Sequence, residues 1–162
     1  MNPILIKAAE NTVEQLKQKG LTLATAESCT GGLLSAALTS VSGVSQVFEL
    51  GVTSYSCRIK NDVLKVKNET LEEFGAVSAD TARQMAQNVR NMASSQLGAS
   101  VTGVAGPSMS EGHPVGYIFI AVSGNMGTRT ELLNLENTGR ESVREAAVLN
   151  VLRLIDEYIK EL

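Results

Sequence analysis

Apolar residues first recur at helical spacing, with Leu5, Ala9, Val13 and Leu16 on one side of the segment Pro3–Lys19 and Gly20 following as a stop. The pattern then shortens. Leu21–Ala26 is an apolar, β-branched run that predicts a strand, and Leu33, Leu34, Ala36, Ala37 and Leu38 predict an apolar helix beginning near Thr30. Val47–Ser56, with Phe48, Leu50, Val52 and Tyr55, predicts a second strand, and Ile59–Val66 a short helix or turn. Ser78 is placed to cap a helix with Ala82, Met85, Ala86, Val89, Met92 and Ala93 on one face, and Asp80 lies in its first turn, where the helix dipole favours a negative charge. Gly98–Gly103 predicts a third strand, ending in a glycine-bounded loop that reaches Pro107. Val115–Val122 and Thr128–Leu135 read as two more strands, able to pair through the turn Gly124–Gly127. Thr138-Gly139-Arg140-Glu141 has the capping-box pattern, and Val143, Ala146, Ala147, Val151, Leu154, Ile155 and Ile159 stripe a final helix.

This alternation predicts an α/β fold, a three-layer α/β/α sandwich around a mixed, mostly parallel sheet with one antiparallel member. Such sheets bind ligands outside the carboxyl ends of their strands. Ser28, Tyr55 and Thr102 each follow a predicted strand at that end, so three hydroxyls distant in sequence can converge.

The 162 residues suit a single domain, 1–162, large enough to bury a core without metal or disulfide staples. A hydrophobic fraction of 43% against 19% charged is globular composition, with no repeat or low-complexity tract to set aside. The net charge of −3 and pI near 5.2 argue against nucleic acid as a partner. The N-terminus lacks a basic region followed by an apolar one, and no stretch approaches the length of a membrane span, so the expected location is the cytoplasm, without a membrane partner. Cys29 and Cys57 form no C-x-x-C pair, and the single histidine, His113, stands in no zinc-ligand spacing. Chemistry without metal or cofactor is the expectation.

Leu21 through Gly32 (LTLATAESCTGG) runs from strand into hydroxyl and glycine residues that open a helix. A helix start leaves its first N–H groups unpaired and partly positive, suited to phosphate oxygens or a developing oxyanion, and glycines there let a ligand approach the backbone. The active site is therefore expected here.

At these residues the chain resembles the CinA C-terminal domain family, whose characterised members are nicotinamide-nucleotide amidohydrolases. The likeness rests on Ala26–Gly32, on Gly51 through Tyr55-Ser56 to Lys60, and on Gly75–Ser78. Val101–Pro107, Pro114-Val115-Gly116, and Arg140 followed by Arg144 extend it to nearly the whole chain. The resemblance implies hydrolysis of nicotinamide mononucleotide to nicotinate mononucleotide and ammonia, a step in pyridine nucleotide salvage. Carried over, Ser28 is the nucleophile, Tyr55 and Lys60 assist proton transfer, Thr102 and Gly103 meet the substrate, and Arg140 holds an anionic group. Self-association, with a dimer favoured, is implied in the same way. The chain departs from the family's glycine-rich run at Ser108–His113, has Thr138-Gly139 before Arg140 where Gly-Asp is common, and has Cys57-Arg58 after Tyr-Ser.

The chemistry is consistent with the residues. A serine hydroxyl needs a base, and a lysine whose pKa is lowered by desolvation or by a neighbouring charge such as Arg140 can replace histidine. Lys60 is that candidate, with Tyr55 relaying the proton or holding the amine. Backbone N–H groups around Thr30, Gly31 and Gly32 could serve the oxyanion or bind the nucleotide phosphate. Without the resemblance the same residues read more plainly: Ser28 or Thr30 as a helix cap, Glu27 as a carboxylate fixing the loop, Cys29 as a small buried residue, and His113 as an exposed loop residue. A non-catalytic nucleotide-binding or regulatory module, motivated by the altered loop, and an amidase or esterase for another small substrate are the alternative functions.

Overall fold

In the computed structural model, which describes residues 1–162, the chain runs α1 (Pro3–Lys19), β1 (Leu23–Glu27), α2 (Leu33–Thr39), a 3-10 turn (Val44–Gln46), β2 (Phe48–Thr53), α3 (Cys57–Asp62) and α4 (Asn68–Phe74). It continues through α5 (Ala79–Ala93), β3 (Leu97–Gly103), β4 (Tyr117–Gly124), β5 (Gly127–Asn134) and α6 (Arg140–Lys160). The strands form one sheet in the order β2-β1-β3-β4-β5. β1 pairs in parallel with β2 and β3, whereas β3–β4 and β4–β5 are antiparallel, so β4 alone runs against the others. This is the expected mixed sheet between helical layers.

The period-two alternation of β1 explains the layering. Leu23 joins a core with Leu5, Val13 and Leu16 of α1, Leu34 and Leu38 of α2, and Val148, Leu152 and Ile155 of α6. Ala24 and Ala26 face the other way, onto Met85 and Val89 of α5 and onto Leu64 and Val66. Each large side chain buried in these layers contributes roughly 1.5–3 kcal/mol of transfer free energy. No helix is long and apolar enough to cross a membrane.

Three local expectations change. Helix α2 begins at Leu33 rather than near Thr30, because Gly31 (φ 59°) and Gly32 (φ 98°) turn the backbone through the left-handed region before the helix can start. The capping box does not form: Gly139 occupies the cap of α6, which moves Thr138 one residue outside and Glu141 one residue early, and the Thr138 N–H donates to the Glu136 carbonyl at 2.9 Å. Met92, assigned to the apolar face of α5, is exposed. Ser78 does cap α5, accepting from the Thr81 N–H at 3.1 Å. Helix α4 carries Glu69, Glu72 and Glu73 and buries only Thr70, so it shows no apolar stripe by which the sequence could reveal it.

Candidate active site

The chain reverses its lateral direction at β1: β2 lies on one side of it and β3 on the other. The carboxyl ends of these three parallel strands meet where such a switch opens a crevice. Two backbone bonds tie the ends together, from Ser28 N–H to the Val101 carbonyl at 3.0 Å and from Ser54 N–H to the Glu27 carbonyl at 2.8 Å. Above them lies a cleft of about 230 Å³, with Ser28, Cys29, Lys60, Thr102, Arg140 and Glu111 among its lining residues.

Lys60 forms the cleft's most informative contact. Ser56 caps α3 by accepting from the Ile59 N–H at 3.2 Å. On this short helix Arg58 pairs outward with Asp62, while Lys60 turns inward and is 1% exposed. Its Nζ donates to Ser28 Oγ at 2.9 Å and to the Ser54 carbonyl at 2.6 Å. Both partners are neutral oxygens, so burial pushes the amine pKa below the ordinary lysine value, and nearby negative charge only partly counters this. Desolvation is the cause, and Arg140 takes no part. A neutral amine in this position can accept the Ser28 proton over the same 2.9 Å.

Glu27 holds the turn that carries Ser28. Fully buried, its carboxylate accepts from Thr30 Oγ1 at 2.6 Å, from the N–H groups of Gly32 (3.1 Å), Leu34 (3.0 Å) and Ser35 (2.9 Å), and from Ser35 Oγ at 2.7 Å. The helix start is thus occupied by the protein's own carboxylate. Gly31 N–H bonds the Ser28 carbonyl at 3.0 Å, so neither glycine N–H is available to a ligand, and Thr30, Gly31 and Gly32 lie outside the cleft lining. The N–H groups left without a partner in the chain are those of Cys29 and Thr30, directly after Ser28. From the other side Arg144 Nη2 donates to the Thr30 carbonyl at 2.6 Å, and its buried Nε has no partner.

The remaining expected residues divide. Thr102 and Gly103 line the cleft, with Thr102 Oγ1 donating to the Ala76 carbonyl at 2.8 Å. Tyr55 is 61% exposed, and its hydroxyl accepts from Arg140 Nη2 at 2.9 Å rather than contacting Lys60. Arg140 Nη1 donates to the Gly106 carbonyl, so the guanidinium spans the rim of the cleft. Cys29 is buried, its thiol pushed up to about 11 chiefly by desolvation. His113 is half-buried, stacked on Tyr117 with ring centroids 4.2 Å apart. Two features escape side-chain reasoning. The Ser54 carbonyl is a backbone group and carries no signal in sequence. Glu111 lies in the segment that departs from the family pattern, although Ala76 and Val77, which it holds, belong to a motif quoted above.

Comparison with known proteins places these observations in a family. The model of the CinA C-terminal domain matches residues 5–159. A competence-damage inducible protein of Acetivibrio thermocellus is 45% identical over 150 residues, 92% of this chain and 36% of that protein. One from Caldanaerobacter subterraneus is 44% identical over 152 residues, 93% of this chain and 37% of that one. The chain therefore spans little more than a third of the length of these curated relatives. Among solved structures, the competence/damage inducible protein CihA from Agrobacterium tumefaciens superposes with a TM-score of 0.92 at 34% identity, covering 97% of this chain and 96% of the other. A CinA superfamily protein from Klebsiella pneumoniae gives a TM-score of 0.95 at 28% identity, each chain covered in full. With the sequence match running from α1 to the end of α6 and the same fold in solved relatives, this chain belongs to the CinA C-terminal domain family.

Proposed function

We propose that the protein is an amidohydrolase that converts nicotinamide mononucleotide and water to nicotinate mononucleotide and ammonia. The observation that carries this reading is the buried Lys60 amine 2.9 Å from Ser28 Oγ, without a counter-ion, at the floor of a cleft. A serine beside a neutral amine is a nucleophile beside its base. In this reading Oγ attacks the carboxamide carbon as its proton passes to Lys60 Nζ, and the oxyanion that develops takes the unpaired N–H of Cys29, which lines the cleft, as a donor. Lys60 then gives its proton to the departing nitrogen, ammonia leaves, and a nicotinoyl ester remains on Ser28. Water attacks that ester with Lys60 again as base, releasing nicotinate mononucleotide and restoring the hydroxyl. Arg140 at the rim supplies the cation for the phosphate.

The test is release of ammonia and nicotinate mononucleotide by the purified protein, beside Ser28→Ala and Lys60→Met variants. Turnover by the native protein and a loss of about a thousandfold or more in each variant support the proposal. Equal turnover by native protein and Ser28→Ala removes the serine from the mechanism. Mononucleotide that raises the melting temperature but yields no product identifies a binding module instead.

A further inference from the structure

Glu111 is the one acidic residue among those lining the cleft, and although the residue is exposed, its carboxylate is held in place. Its Oε1 accepts from the Ala76 N–H at 3.2 Å and its Oε2 from the Val77 N–H at 3.1 Å. Gly75 makes room for it, since a Cβ at that position would lie 2.5 Å from Oε2. Its own backbone, at φ 51°, is the first of the two central residues of a tight turn with Gly112 (φ 76°), closed by the Ser110 N–H on the His113 carbonyl at 3.1 Å and the His113 N–H on the Ser110 carbonyl at 2.8 Å. The far side of the Ala76 peptide is fixed as well, its carbonyl accepting from Thr102 Oγ1 at the end of β3. A carboxylate held by two N–H groups keeps further lone pairs and its charge. That charge is felt at Lys60, where it opposes the effect of burial.

We propose that Glu111 is a specificity-determining residue whose fixed carboxylate selects substrates in which the ring bearing the amide carries a positive charge, that is, N-alkylated pyridinium carboxamides over their neutral counterparts. The inference rests on the amidohydrolase reading of the site and adds the electronic state of the ring to it. In nicotinamide mononucleotide the ring nitrogen is quaternary and the ring cationic, whereas the reduced dihydropyridine form has a neutral ring with the same ribose and phosphate. Arg140 meets the phosphate of both forms equally, so it cannot tell them apart. The Glu111 carboxylate in the same cleft can, by Coulomb attraction to one ring only.

The experiment compares binding of the oxidised and reduced mononucleotides by calorimetry in a Ser28→Ala background, with Glu111 intact or changed to Gln or Asp. With Glu111 intact the oxidised form should bind about fivefold to tenfold more tightly. In Glu111→Gln, which keeps an oxygen for one N–H and removes the charge, the ratio of the two affinities should fall close to one. Glu111→Asp should recover part of the preference. An equal loss for both forms in Glu111→Gln, or an unchanged ratio, overturns the proposal and assigns Glu111 to loop structure alone. If the native protein binds the oxidised form without hydrolysing it, the amidohydrolase reading fails while the preference is still measured. If neither form binds, both readings fall.

Discussion

Lys60 Nζ lies 2.9 Å from Ser28 Oγ although 32 positions separate the two residues, and the amine's other partner is a backbone carbonyl rather than a carboxylate. An ammonium in that position would be buried without a counter-ion, so the neutral form is favoured.

A pH dependence of known sign follows. The base must be unprotonated, so kcat/KM for the mononucleotide should rise with pH and level off below the ordinary lysine range. A rise that continues to the ordinary lysine value would exclude Lys60 as the base. Stability moves in the same direction. Between the lowered folded pKa and the ordinary unfolded one, the unfolded chain binds the proton that the folded chain has lost, so stability increases with pH, by at most about 1.4 kcal/mol per pH unit. Lys60→Met should flatten that slope in denaturant titrations run across the window.

Glu27 should prove costly to replace. An amide in Glu27→Gln would turn an NH2 group towards donors now satisfied by the carboxylate, leaving buried N–H groups unpaired, at a cost of about 2–4 kcal/mol. Thr30→Val, which removes one donor, should cost about 1 kcal/mol. Urea denaturation measures both. A Glu27→Gln protein as stable as the native one would show that the carboxylate does not organise the turn.

The two thiols should behave differently. Cys57 is exposed on the cleft wall, whereas Cys29 is buried and its pKa is raised to about 11. Thiol titration of the folded protein should therefore give one fast equivalent, assigned to Cys57 by mass spectrometry. Bulky modification there should abolish mononucleotide turnover, and Cys57→Ser should resist it. Fast labelling of Cys29 would contradict the burial on which the assignment rests.

Much of this architecture is legible in residue order. The apolar period of α5 and the Ser78 cap specify that helix by local physics, and the turn between Gly124 and Gly127 pairs β4 with β5 as the pattern suggests. Ser28, Tyr55 and Thr102 can be assigned to strand ends before any coordinates, because strand and turn chemistry are local. Where such reasoning fails, a long-range partner decides. The run Thr30-Gly31-Gly32 looks like an open anion site, yet a buried carboxylate from the preceding strand fills it. Tyr55 looks like a partner for Lys60, yet its hydroxyl reaches Arg140, 85 positions away.

The sequence by itself determines most of the elements, the layers, the family and the hydroxyl at the end of β1, since these depend on periodicity, on caps and on motifs read in order, whereas α4 carries no such pattern. Only the tertiary structure decides that Lys60 is buried against Ser28, that Glu27 consumes the helix-start donors, and that Glu111 is the carboxylate on the cleft wall. Desolvation and hydrogen-bond competition are properties of a place in space, and residues far apart in the chain create that place together.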